Sequence, residues 1–71
     1  MIIVYKDRTV PFESTALEIN YDRNADCYYI KAYIGDKHFA VKTAIPTYCD
    51  AKLVLRDIVA AYKRGDKIYE A

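Results

Sequence analysis

The chain has 71 residues, enough for one domain around one small core. Its 11 Lys and Arg stand against 10 Asp and Glu, a formal net charge of +1, which argues against a dedicated polyanion binder and leaves room for a local basic patch. Two cysteines without a CxxC and a single histidine give no zinc-ligand spacing, and no apolar run approaches the ~18 residues that span a bilayer.

Met1 to Tyr5 is apolar, but it lacks a basic leader and runs straight into Lys6-Asp7-Arg8, so a targeting segment is not expected. Ile2 to Tyr5 reads as a strand. Thr9 to Phe12 extends or pairs with it, and Pro11, which has no N–H to donate, confines that piece to an edge or a loop. Leu17, Ile19 and Tyr21 alternate with Glu18, Asn20 and Asp22, the pattern of a half-buried strand. The polar run from Asp22 to Asp26 reads as a turn.

A hairpin follows. Tyr28, Ile30, Ala32 and Ile34 share one face of the first arm; Cys27, Tyr29, Lys31 and Tyr33 share the other. In the second arm Phe39, Val41, Thr43 and Ile45 lie opposite His38, Ala40, Lys42 and Ala44. The apolar sets meet in one core only if the loop has an even number of residues. A Gly35-Asp36 turn satisfies this with glycine where a type II′ turn needs it. It pairs Tyr33 with His38, Lys31 with Ala40 and Tyr29 with Lys42, whereas an Asp36-Lys37 turn sets Lys31 directly against Lys42, a repulsion of roughly 0.2–1 kcal/mol. Tyr28 is therefore expected inward, and Tyr29, Lys31, Tyr33 and Lys42 outward as an aromatic-basic platform.

The helix signal is the clearest in the chain. Pro46 stops the sheet, Thr47 is an N-cap with Asp50 three residues on, Tyr48 to Arg64 contains no Gly or Pro, and Gly65 stands at the position that closes a helix. Tyr48, Ala51, Leu55, Ile58 and Tyr62 form the apolar stripe, widened by Val54 and Val59. Ile68 and Tyr69 add a short return segment. Strands followed by one helix imply an α+β domain over residues 1–71, an antiparallel sheet of three to four strands with the helix on one face and the other face open. With two glycines and two prolines in the whole chain there is little room for linkers, and a full-length small protein is expected.

About 180° from the helix core stripe lie Cys49, Leu53 and Ala60, a candidate self-association surface, because a core this small gains from forming a dimer or higher homo-oligomer. Lys52, Arg56 and Lys63 line a basic flank that could hold an anion. Cys27 and Cys49 fall on surfaces facing away from each other, so no internal disulfide is expected, and a cytoplasmic location with reduced thiols is the default. His38, at the hairpin tip, is too remote to serve Cys49 as a base. Ser14 is the only serine, and no P-loop, GxGxxG, HExxH, GxSxG or EF-hand loop occurs. The expectation is a non-enzymatic protein without a cofactor.

The opening "MIIVYKDRTVPF", the strand "YYIKAYI" and the closing "AKLVLRDIVAAYKRGDKIYEA", with Ala51, Leu55 and Ile58 as the helix stripe, resemble small proteins carried by phages and mobile elements of Gram-positive bacteria. The resemblance implies a class that includes inhibitors of host defence, acting by occluding a partner or sequestering a small signal, in the host cell cytoplasm. The leading expectation is a binding protein that engages a protein partner through its open sheet face. Two others stand beside it: a single-stranded nucleic-acid binder, with tyrosines stacking on bases and lysines holding phosphates, and an oligomeric sponge for a nucleotide-like signal.

Overall fold

In the computed structural model, which describes residues 1–71, the apolar start of the chain folds back on itself. Strand β1 (Ile2–Tyr5) pairs antiparallel with β2 (Arg8–Pro11) around a two-residue Lys6-Asp7 turn. Pro11 ends β2, and β2 is one of the two edge strands of its sheet, where a residue without an N–H breaks no ladder. A 3-10 turn at Phe12–Ser14 leads into β3 (Ala16–Asp22), which pairs with β4 (Cys27–Ile34) in unbroken register from Ala16 opposite Tyr33 to Asp22 opposite Cys27.

The hairpin from β4 to β5 (Lys37–Ile45) turns at Gly35-Asp36, with Gly35 at φ +59 as the turn requires. Tyr33 faces His38 and Lys31 faces Ala40, as the face argument demands. Beyond Ala40 the ladder departs from expectation: Ile30 faces Lys42 and Tyr28 faces Ile45, so β5 takes up two extra residues in two bulges, and the expected pair of Tyr29 with Lys42 does not form. The reason is burial. An unbroken ladder sets Thr43 against Tyr28 on the core side; the bulges replace it with Ile45 and still bury Val41, which are 4% and 0% exposed. Ala44 lies in the second bulge at φ +58.

Helix α1 (Tyr48–Lys63) begins where Thr47 Oγ1 accepts the Asp50 N–H at 3.0 Å. It closes in a Schellman motif: Gly65, at φ +83, donates to Tyr62, and Asp66 donates to Ala61. The return segment becomes β6 (Ile68–Glu70), parallel to β1, with Ile3 opposite Tyr69.

The protein is thus α+β, with two three-stranded sheets, ordered β2-β1-β6 and β3-β4-β5, in place of the single expected sheet. Both the first sheet and the helix pack on the same face of the second sheet, because the apolar residues of all three form one cluster: Ile3 and Val10, then Ile30, Ala32, Val41 and Ile45, then Ala51 and Ile58. Only nine residues are buried, so each contributes a large share of the stability. No helix is long and apolar enough to cross a membrane.

The helix stripe sits slightly rotated from the expected one. Ala51 and Ile58 are buried as the spacing requires, and Ala61 joins them, while Tyr48 and Tyr62 are 52% and 43% exposed. Their rings reach only the rim of the core, Tyr48 edge-on to Tyr28 at 5.9 Å between centroids and Tyr62 against Phe12 at 4.6 Å.

Candidate functional site: the open sheet face

Residues of β4 alternate faces, so burial of Ile30 and Ala32 beneath the helix and first sheet turns Tyr29, Lys31 and Tyr33 the other way. Residues two apart on a strand stand about 7 Å apart, which lets one ammonium reach two rings. Lys31 Nζ is 5.9 Å from the Tyr29 centroid and 5.5 Å from that of Tyr33, within the range of cation–π attraction. Partial burial works against the Lys31 charge, but the flanking Tyr29 and Tyr33 outweigh it and hold the ammonium above its usual pKa.

Neighbouring strands fix the rim. Glu18 stands directly opposite Lys31 on β3. Its Oε1 accepts the Asn20 amide at 2.8 Å and the Tyr33 hydroxyl at 3.4 Å. The Tyr33 ring leans on His38 with centroids 5.8 Å apart. The three central residues are half-buried, their orientation restrained before any partner arrives.

Lys42 does not join this group. It lies opposite the core residue Ile30, and its ammonium donates to the Ala71 main-chain oxygen at 2.9 Å. The displacement follows from the first bulge, which shifts Lys42 out of the frame of Tyr29.

The bulges also shape a feature that alternation alone does not reveal. A groove of about 710 Å³ runs beside Tyr29, bordered by Arg23 and Asn24 of the β3–β4 loop and by Ala40, Thr43 and Ala44 of β5, with Cys27 in its lining. Asp22, also in the lining, is already engaged: its Oδ1 accepts the Asn24 and Ala25 N–H groups and holds the β3–β4 loop. A second hollow of about 240 Å³ shares Ala40 and Thr43 and is bounded by Tyr5, Lys6 and Arg8 of the first hairpin. The sequence signal for the groove was Thr43, a polar residue that an unbroken ladder places opposite Tyr28 on the core side.

The helix surface divides its candidates. Leu53 is 60% exposed, and Cys49 and Ala60 also face solvent. Cys49 and Leu53 share a shallow hollow with Lys52 and Arg56, whereas Ala60 lies in another with Arg56 and Lys63. The three basic residues therefore do not converge on one point; Lys52 instead lies over the Tyr48 ring at 5.8 Å. Both cysteines are free thiols, Cys27 on the open face and Cys49 on the helix. No three His, Cys, Asp or Glu side chains come together in a group that could hold a metal ion. No protein-family model, curated protein or solved structure matches the chain.

Proposed function

We propose that the protein is a non-enzymatic binding protein that engages a protein partner through the open face of the β3-β4-β5 sheet. The observation that carries this reading is the triplet Tyr29-Lys31-Tyr33, two rings held about one ammonium on a face that the helix leaves uncovered. Tyrosine offers a large contact area with little rotamer entropy to lose, which suits it to binding hot spots. The groove beside Tyr29 gives the surface the relief that a flat sheet lacks and can take a partner's side chain. The resemblance to phage and mobile-element proteins makes a host-defence component the first partner to test.

The test is affinity of the wild type and of Tyr29→Ala with Tyr33→Ala for proteins of a bacterial host, identified by mass spectrometry and then measured with the purified partner. A hot-spot ring contributes about 2 kcal/mol, or about 30-fold in Kd, so the double variant loses binding while its thermal midpoint stays close to that of the wild type. Equal affinity of the two chains removes the platform reading.

The groove favours one alternative, a nucleotide-like ligand whose base lies against Tyr29 with Arg23 toward its anionic group. Anisotropy of a labelled nucleotide and of a labelled single strand, each at low and high salt, separates these from a protein partner.

A further inference from the structure

The second sheet has two edges, and only one is guarded. Strand β3 is seven residues long, keeps an unbroken register with β4 and contains no Lys, Pro or bulge to stop an edge from pairing; its only charges are Glu18 and Asp22. Exposed rings stand near it on the core side. Tyr21 of β3 is 47% exposed and contacts Tyr28, which in turn meets Tyr48; Tyr62 stacks on Phe12, in the turn just before β3.

We propose that β3 pairs antiparallel with β3 of a second copy of this chain about a twofold axis at Ile19, joining the two three-stranded sheets into one of six strands. The charge pattern selects both the occupant and the register. Facing residues must lie on the same side of the sheet, so the axis passes through a residue. Centred on Glu18, the ladder sets Glu18 against itself. Centred on Asn20, it sets Glu18 against Asp22 at both ends. Centred on Ile19, it uses all seven residues and faces no like charges. Leu17 then meets Tyr21 and Ile19 meets Ile19 on the core side, while Ala16 meets Asp22 and Glu18 meets Asn20 on the open side. Asn20 donates to Glu18 of its own chain, and the second hydrogen of its amide is left for the Glu18 carboxylate that this register sets opposite it. The helix surface offers no comparable fit: Leu53 shares its hollow with Lys52 and Arg56, and self-pairing there brings cations together.

Sedimentation equilibrium of the full chain tests this. The wild type associates to a dimer. Ala16→Asp faces Asp22 of the second copy at both ends of the ladder and weakens the dimer about ten-fold, whereas Ala16→Lys strengthens it by a similar factor. Ala16 is exposed, so urea unfolding at high dilution keeps both variants close to the wild type as monomers. Asn20→Asp, placed opposite Glu18, weakens the dimer in the same way. A wild type that stays monomeric up to about 1 mM overturns the proposal, as does a dimer that responds alike to Ala16→Asp and Ala16→Lys. Ala16 and Asn20 stand opposite Tyr33 and Tyr29 on the open face, so the platform is tested apart from the dimer by Tyr29→Ala with Tyr33→Ala, which leaves every residue of the β3 edge in place.

Discussion

The two edges of the β3-β4-β5 sheet solve the same problem differently. β5 is kinked by two bulges, carries Lys37 and Lys42, and is braced by the first hairpin, with a hydrogen bond between the Tyr5 hydroxyl and Thr43 and with Arg8 over the Phe39 ring at 4.7 Å. β3 is straight in register and has no such brace along its outer side. The difference shows how a chain this short divides its resources. The first sheet closes one edge and contributes Ile3 and Val10 to the core; β3, at the other edge, has no such neighbour. The bulges that protect β5 also hollow the open face beside Tyr29, so edge protection and the candidate binding groove have one cause.

If the β5 edge is the stabilising one, its core residues should be the most sensitive. Ile45→Ala, at a buried position beyond the second bulge, is expected to destabilise by about 2–4 kcal/mol. Ile19→Ala, half-buried on β3, is expected to cost about 1 kcal/mol in the monomer, since less of its surface leaves water on folding. Urea unfolding of both variants at high dilution reads the difference; equal losses erase the contrast between the edges.

Much of this architecture was legible in the residues. Alternation from Leu17 to Asp22 and from Cys27 to Ile34 gave two strands and assigned Tyr28 and Tyr29 to opposite faces, because a period of two leaves no freedom once one face is apolar. Gly35-Asp36 set the turn, and Thr47 and Gly65 marked the helix ends through local hydrogen bonds that depend on few neighbours. The bulges were not legible, since they arise from a competition between ladder continuity and burial of Val41 and Ile45 that only tertiary packing decides. The place of β6 was hidden for a similar reason: pairing Ile68 with Ile2 bridges nearly the whole chain, and three residues carry too little pattern to name a partner. Within the candidate site, Tyr29, Lys31 and Tyr33 followed from alternation, whereas Lys42 was misplaced by one bulge and the groove was produced by both.

A gentler way to loosen the guarded edge runs through β6. The Tyr69 hydroxyl donates to Asp57 Oδ2 at 2.7 Å, tying β6 to the helix. Burial, then that hydrogen bond and the Asp57 charge, push the Tyr69 phenol up to about 12. The unfolded phenol titrates near 10, so the folded chain favours the neutral form. The associated stability is complete below about pH 10 and is lost as pH rises toward about 12. With allowance for solvent screening of a half-buried group, the loss is about 1–2 kcal/mol. Urea unfolding across that range is expected to show it, and Tyr69→Phe should flatten the decline by the same amount. A Tyr69→Phe chain that loses stability as steeply as the wild type places the alkaline sensitivity elsewhere.

The smallest expected effect tests the bulge itself. Ala44 adopts φ +58, a left-handed conformation that crowds a Cβ against the following carbonyl and costs an L-residue about 1 kcal/mol or more. Glycine removes that crowding but gives the unfolded chain more freedom to lose, so the net gain from Ala44→Gly is about 0.5 kcal/mol. Asn20→Gly, in the regular β3 ladder, has no such crowding to relieve and is expected to destabilise by about 0.5–1 kcal/mol. The opposite signs are the point of the pair: one substitution relaxes a strand that is bent to bury its apolar residues, and the other loosens a strand that stays extended. A shift in the urea midpoint of the same sign for both means that Ala44 is not strained in solution, and the second bulge, with the wall it gives to the groove, is then absent as well.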